Sequence, residues 1–291
     1  MGETNPEVSN NPEKREKGSN VKIIIKFLRH GERTKDGLLT DYGRDVTRQR
    51  AQESGIGKED FDAVRAIGST ADTPPEGMGR ALETADIYSH EVAGDDAFNT
   101  KKDDLLNYQT LLTSRPYDHV PVYNSYLPEN FNELSDEEKV AAAKVAQIAT
   151  VNHLLSLTSP EALNYKKEIV GAYASVIDHY SKLAQRLKSG SRVLIPAGTH
   201  GGNMELILKA ALIRTDESGQ KKVGFEKMEE IGGEMDPSEA FNVSVETDSQ
   251  GELLPLSVIF DNPDRPKKEM SLDPEILSEA QEFYIELHEE K

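Results

Sequence analysis

An apolar run over residues 21–28, interrupted by Lys22 and Lys26, stops abruptly at Arg29-His30-Gly31. Rich in β-branched side chains and too short for an independent helix, the run reads as a strand buried on both faces. In open α/β sheets, ligands gather where strands end at their carboxyl side. This strand would therefore deliver an imidazole to a binding crevice. Gly31 permits a sharp turn and a close backbone approach to a ligand, and Arg29 offers a planar fork of donors suited to phosphate oxygens.

The same arrangement recurs further along. A second short apolar strand ends in Thr199-His200-Gly201-Gly202, and residues 203–212 read as an apolar helix. His200 thus falls at a helix N-terminus, where unpaired amides and the helix dipole create an anion site. A third patch joins Ser69-Thr70 to Gly79-Arg80-Ala81-Leu82-Glu83-Thr84-Ala85. Arg80 opens a helix whose Ala81, Ala85 and Tyr88 are spaced to face a core, so its side chain can share the same anion. Singly, each histidine reads as a satisfied strand-end residue and Arg80 as a solvated surface arginine. The pair of histidines with their glycines and arginines calls for a common purpose.

Four patches, Leu28-Arg29-His30-Gly31-Glu32, Leu39-Thr40-x-x-Gly43-Arg44, Arg80-Ala81-x-x-Thr84-Ala85 and Thr199-His200-Gly201-Gly202, resemble in order and context the motifs of the histidine phosphatase superfamily, also called phosphoglycerate mutase-like. The likeness runs over residues 21–261. It implies an α/β fold, a three-layer α/β/α arrangement with a mostly parallel central sheet and an inserted helical and loop cap. It also implies a metal-independent phosphomonoester hydrolase in which His30 attacks phosphorus and becomes a phosphohistidine that water then hydrolyses. Arg29, Arg80, His200 and the backbone near Gly201 would hold the phosphoryl oxygens and stabilise their charge. Nearby arginines also disfavour protonation of His30 and keep it nucleophilic. No cofactor or metal is implied, in keeping with a sequence that lacks cysteines, a His-Glu-x-x-His segment and an Asp-rich cation loop.

The resemblance is mixed at two points. An Arg-His-Gly-x-Arg start, with Arg33 as a further phosphate contact, is typical of the acid-phosphatase-like branch of the family. Gly201, where that branch has aspartate, favours the smaller mutase-like branch. In the latter a glutamate from the segment between Arg80 and His200 serves as general acid, often in a Leu-x-Glu context, and Leu127-Pro128-Glu129 fits it. Glu129 is the choice, with Glu32, Asp118 and Glu133 as alternatives.

Residues 1–20 are polar and read as a disordered tail. Residues 21–291 read as one domain, with a cap insertion at about residues 91–160 that includes an Ala-rich helix and the turn-like Arg115, Tyr117, Asp118 and His119. Insertions above strand ends commonly select substrate, and Arg115, Tyr117 and His119 are candidate contacts. A formal charge of −18 argues against nucleic acid. A phosphorylated small molecule or phosphoprotein remains compatible with a few arginines gathered in one pocket. The absence of cysteines, of an apolar leader and of a membrane-length apolar run favours the cytoplasm. A final amphipathic helix over residues 276–287 is free to dock on the domain or on a second copy. Two further readings stand beside the hydrolase. One is a phosphoglycerate-type mutase or phosphotransferase, against which Glu32-Arg33-Thr34-Lys35 and the lack of tryptophan speak. The other is a non-catalytic phosphate-binding regulatory protein.

Overall fold

The computed structural model describes residues 17–34, 37–71, 77–107, 119–216, 218–267 and 270–289. Its strands are β1 (Lys22–Arg29), β2 (Ala63–Gly68), β3 (Phe98–Lys102), β4 (Arg192–Thr199), β5 (Leu212–Thr215), β6 (Lys221–Val223), β7 (Ala240–Glu246), β8 (Ser257–Phe260) and β9 (Met270–Leu272). Its helices are α1 (Asp41–Glu53), α2 (Arg80–Ala93), α3 (His119–Ser125), α4 (Asp136–Ser156), α5 (Pro160–Ala184), α6 (Asn203–Ala211) and α7 (Pro274–Glu289). No single described helix is long and apolar enough to cross a membrane.

The strands form one sheet in the order β3-β2-β4-β1-β7-β8-β9-β5-β6. The pairings β2 with β3, β2 with β4 and β1 with β4 are parallel. The remaining five are antiparallel, so the expectation of a mostly parallel sheet is corrected. The reason lies in the connections. Helices between β1, β2, β3 and β4 provide the crossovers that parallel pairing needs, whereas the short links within β5–β6 and β7–β8 allow only antiparallel return. The hairpin of β7 and β8 is the one that the alternation of residues 240–247 and the turn at Asp248 predict.

Helices cover both faces where the sheet is parallel. Ile23, Ile25 and Phe27 of β1 enter one core with Tyr173 and Ile177 of α5, Leu206 and Ile207 of α6 and Leu277 of α7. Ile24 and Leu28 point the other way, towards Tyr88 and Val92 of α2 and Ala51 of α1. Alternation along β1 thus feeds two cores, which is why the run is apolar throughout. Lys26, fully buried, lies on the α2 side and pairs with Asp261. α5 begins as its sequence predicts, with Ser159 accepting the Ala162 amide at 3.3 Å and Pro160 in the first turn. α7 docks on α5 of its own chain, at Gly171, where a Cβ would stand 2.2 Å from the Ala280 carbonyl oxygen.

Two sequence boundaries look different in three dimensions. Lys17 to Asn20 do not belong to a loose tail: Gly18 donates its amide to Gln185 O at 2.9 Å and Asn20 donates to Asp248 O at 2.9 Å. Backbone pairing compensates there for the lack of apolar side chains. Phe98–Lys102, inside the stretch read as an insertion, is the edge strand β3. The described remainder of that stretch is the end of α2, 3-10 turns at Gly94–Asp96, Asp104–Leu106 and Phe131–Glu133, α3 and α4. Ser135 and Glu138 form a capping box at the start of α4.

The seating of α2 on the sheet positions the site. Gly68 and Gly198 are register partners on β2 and β4. A Cβ on Gly198 would lie 1.9 Å from the Ala81 carbonyl oxygen, and one on Gly68 would lie 2.6 Å from Leu82 Cα. Without side chains there, the first turn of α2 rests directly on the strand ends and carries Arg80 over them. Gly198→Ala is expected to lower stability by about 1–3 kcal/mol, the usual cost of overpacking, as read by urea unfolding. An unchanged midpoint would show that the contact is not tight.

Candidate functional site

Parallel pairing places Arg29 opposite Thr199, so that His30 and His200 leave the sheet side by side. The His30 amide donates to Thr199 O at 2.9 Å, and the two imidazole centroids are 5.3 Å apart at an interplanar angle of 64°. Both rings therefore face one space at the carboxyl ends of β1 and β4. α6 begins just beyond His200, with Gly202 at its N-cap.

The His30 Nδ1 atom is 2.7 Å from the Gly31 carbonyl oxygen. A carbonyl only accepts, so Nδ1 carries the hydrogen and Nε2 keeps the lone pair. Burial pushes the His30 pKa well below its ordinary value, and the fields of His200, Arg80 and Arg29 push it the same way. The ring is therefore neutral at pH 7, with a nucleophilic nitrogen. For His200, Nε2 lies 2.8 Å from Ser69 Oγ. Ser69 donates its hydroxyl to Asn107 Oδ1 at 2.6 Å, an oxygen identified by the amides of Thr70 (2.8 Å) and Ala71 (2.9 Å) that also point at it. Ser69 Oγ must then accept from His200, which places a hydrogen on Nε2.

The sequence motifs around these rings fasten the loops. Thr84 Oγ1 accepts the Gly31 amide at 3.0 Å and donates to Arg80 O at 2.8 Å, joining the turn after His30 to the first turn of α2. Thr40 caps α1 by accepting the Gly43 amide at 2.9 Å, and its own amide donates to Glu32 O at 3.0 Å. Arg80 is 7% exposed and Arg29 6%. Two cations this buried beside a neutral imidazole describe an anion pocket.

Arg29 is held on one edge and open on another. Its Nη1 donates to Glu234 Oε1 at 3.0 Å and to Met235 O. Its guanidinium packs against Gly201, where a Cβ would come within 2.9 Å of Cζ and Nε. Glycine at 201 is thus the counterpart of the arginine's position. The Arg29 Nε is buried without a hydrogen-bond acceptor among the described residues.

Glu234 is the residue that sequence reading missed. It occupies the loop after Gly232-Gly233, and nothing in its neighbours marks it. Gln147 of α4 donates to the same Oε1 at 2.7 Å, and Lys144 of α4 pairs with Asp236 at 2.8 Å. α4 therefore reaches the arginine through this loop. Arg265 shapes the loop from beneath: it pairs with buried Glu239 and donates to the carbonyls of Ile231 (2.6 Å), Gly233 (2.8 Å) and Glu234 (2.6 Å). Glu205 ties the loop to α6, accepting the amides of Met235 at 2.9 Å and Gly202 at 2.7 Å.

The other described candidates are exposed. Arg33 is exposed on the loop after His30 and bridged to Leu39; burial raises the pKa of Tyr123 on α3, and the nearby Arg33 charge opposes that rise. Glu129 lies in an exposed turn between α3 and the 3-10 turn and hydrogen-bonds to no described residue. Glu133 is exposed in that 3-10 turn, and Glu32 accepts the Thr40 hydroxyl at 3.1 Å. Arg115, Tyr117, Asp118 and the side chain of His119 lie outside the described residues.

No family model matches this chain, and no curated protein matches it. Solved structures that overlay on it include one titled mycobacterial hydrolase 2, at 12% identity and a TM-score of 0.39, covering 90% of this chain and 97% of that one. Another is the native mycobacterial glucosyl-3-phosphoglycerate phosphatase, at 12% identity and a TM-score of 0.36, covering 82% of this chain and 96% of that one. An overlap this loose assigns no residue a role.

Burial pushes the Glu234 carboxyl up to about 7; Arg29 opposes the rise and Glu205 adds to it. Since this pKa lies above the ordinary carboxylate range, the group's contribution to stability is complete below that range and is lost as pH rises through about 7. An anion seated beside Arg29 raises the Glu234 pKa further, so binding takes up a proton just above pH 7. Sulfate, which does not titrate there, is the probe. Calorimetry in two buffers of different ionisation enthalpy is expected to show uptake of up to about one proton per sulfate, and Glu234→Gln is expected to remove it. Equal uptake in both proteins would assign the proton elsewhere.

Proposed function

We propose that this chain is a phosphomonoester hydrolase that works through a phosphohistidine on His30. The observation that carries the reading is the neutral His30 imidazole, with its Nε2 lone pair free, beside two buried arginines. Nε2 attacks phosphorus, forming the P–N bond as the ester P–O bond breaks and the leaving alkoxide takes a proton. Water then attacks the phosphohistidine, the P–N bond breaks, and inorganic phosphate leaves with a proton passed to the same acid–base group. Arg29 and Arg80 meet the equatorial oxygens, and the amides around Gly201 at the start of α6 add donors. The arginines supply the charge that other phosphoryl-transfer sites draw from a metal.

Glu129 is proposed as the acid–base group, carried on the cap turn between α3 and α4. Arg33, on the loop facing α3, is proposed to meet the substrate from the cap side. Glu234 holds the Nη1 edge of Arg29 and is assigned to positioning. The substrate is a phosphorylated small molecule or phosphoprotein whose non-phosphate part lies under the cap.

The test is release of phosphate from a panel of phosphomonoesters with chelator present. His30→Ala is expected to abolish turnover and acid-labile phosphoenzyme while circular dichroism stays unchanged. Release that persists in that variant would remove His30 as nucleophile. Arg80→Met is expected to lower kcat by about 10²–10³. Glu129→Gln should slow alkyl esters far more than activated aryl esters, which leave without a proton, and equal slowing would dismiss Glu129 as the acid. Trapped phosphoenzyme without release would favour a phosphotransferase.

A further inference from the structure

Away from the two histidines, α4, α5, α6 and α7 enclose a half-open groove of about 360 Å³. That volume is in the range of sites that hold small organic ligands. Its floor is apolar, made by Val170, Leu206, Ala210 and Ala280, and three lysines, Lys166, Lys167 and Lys209, stand around it. Glu279 is its one acidic lining residue.

The lysines are unusual in their company. The chain carries 52 acidic and 34 basic residues, yet none of these three forms an ion pair with a described carboxylate. Lys166 donates to the carbonyls of Leu155 at 2.7 Å and Leu157 at 2.6 Å, at the end of α4. Lys209 donates to Phe225 O and lies 5.1 Å from the Phe225 ring centroid. Lys167 stands 4.8 Å from the Phe283 ring centroid. Burial lowers the Lys166 pKa, and the like charge of Lys209 lowers it further. Each ammonium has three donors, and the bonds just named use two on Lys166 and one on Lys209. The groove thus carries three lysines to one glutamate over an apolar floor, in a protein of opposite net charge.

We propose that this groove binds a small amphipathic organic carboxylate, its apolar body on Val170, Leu206, Ala210 and Ala280 and its carboxylate between Lys166 and Lys209. A compact inorganic anion would satisfy the lysines and leave the floor wet. A neutral apolar molecule would cover the floor and leave the like charges facing each other. The amphipathic anion does both. Its binding is independent of the hydrolase reading, because no groove residue belongs to the histidine and arginine cluster.

Decanoate, decanol and inorganic phosphate, each titrated into the full chain by calorimetry, test the proposal. Decanoate is expected to bind with one-to-one stoichiometry and at least about tenfold more tightly than decanol, a difference of one charged contact. Lys209→Met, which keeps the apolar stem, should weaken decanoate by a similar factor and leave decanol unchanged. Ala210→Phe should block decanoate by filling the floor, and it keeps the proposal testable if a lysine variant fails to fold. Equal affinity for decanoate and decanol, decanoate binding that survives both substitutions, no decanoate binding, or phosphate binding here more tightly than decanoate would each overturn it.

Discussion

Main-chain register between β1 and β4 sets Arg29 against Thr199, and from that pairing follow the approach of the two imidazoles, the placement of α6 and the closeness of Arg29 to Gly201. A slip of two residues keeps every side chain on its proper face but moves His200 by about 7 Å along the strand. The rings would then no longer face a common space. The register is held by two cores rather than one, since Ile23, Ile25 and Phe27 are locked against α5 and α6 while Ile24 and Leu28 are locked against α2. Slippage by one residue would exchange those faces. The site inherits its precision from this double burial.

Buried charge organises what the sheet leaves loose. Arg265 with Glu239, Arg29 with Glu234, and Glu205 with two backbone amides together shape the loop between β6 and β7. Buried ion pairs are weak sources of net stability, because desolvation consumes most of their attraction. Their effect here is geometric: Arg265 draws three successive-loop carbonyls together, and Glu234 and Met235 O then pin one edge of Arg29. The same loop meets α4 through Gln147 and Lys144. A displacement of α4 from the sheet would disturb the contacts that hold Arg29 before it touched the histidines.

Charge distribution also separates the inside of the molecule from its outside. A net charge of −18 would slow the approach of anions from a distance. Within a Debye length, about 8 Å at physiological salt, local charges dominate. Buried Arg29 and Arg80 at the strand ends and the three lysines in the helical groove are two such localities. Each is small enough to attract an anion without changing the character of the whole surface.

Much of the candidate site's frame was legible because its determinants are local. A β-branched run ending in Arg-His-Gly, a Gly-Gly before an apolar helix, and Arg80 opening another helix state their chemistry through neighbours in sequence, and the structure brings His30, His200, Arg29 and Arg80 together. Beyond the β7–β8 hairpin, the antiparallel half of the sheet was not legible, since β5, β6 and β9 are only three or four residues long and alternation does not name a partner. Glu234 was invisible for a related reason: its role comes from Arg29, 205 residues earlier, and Gln147, 87 residues earlier. By itself, then, the sequence determined which side chains stand at strand ends and helix starts with chemistry suited to an anion, through residue type and local periodicity. Only tertiary structure decided which carboxyl meets which arginine and where lysines converge on an apolar floor, because burial and long-range contact depend on how distant segments pack.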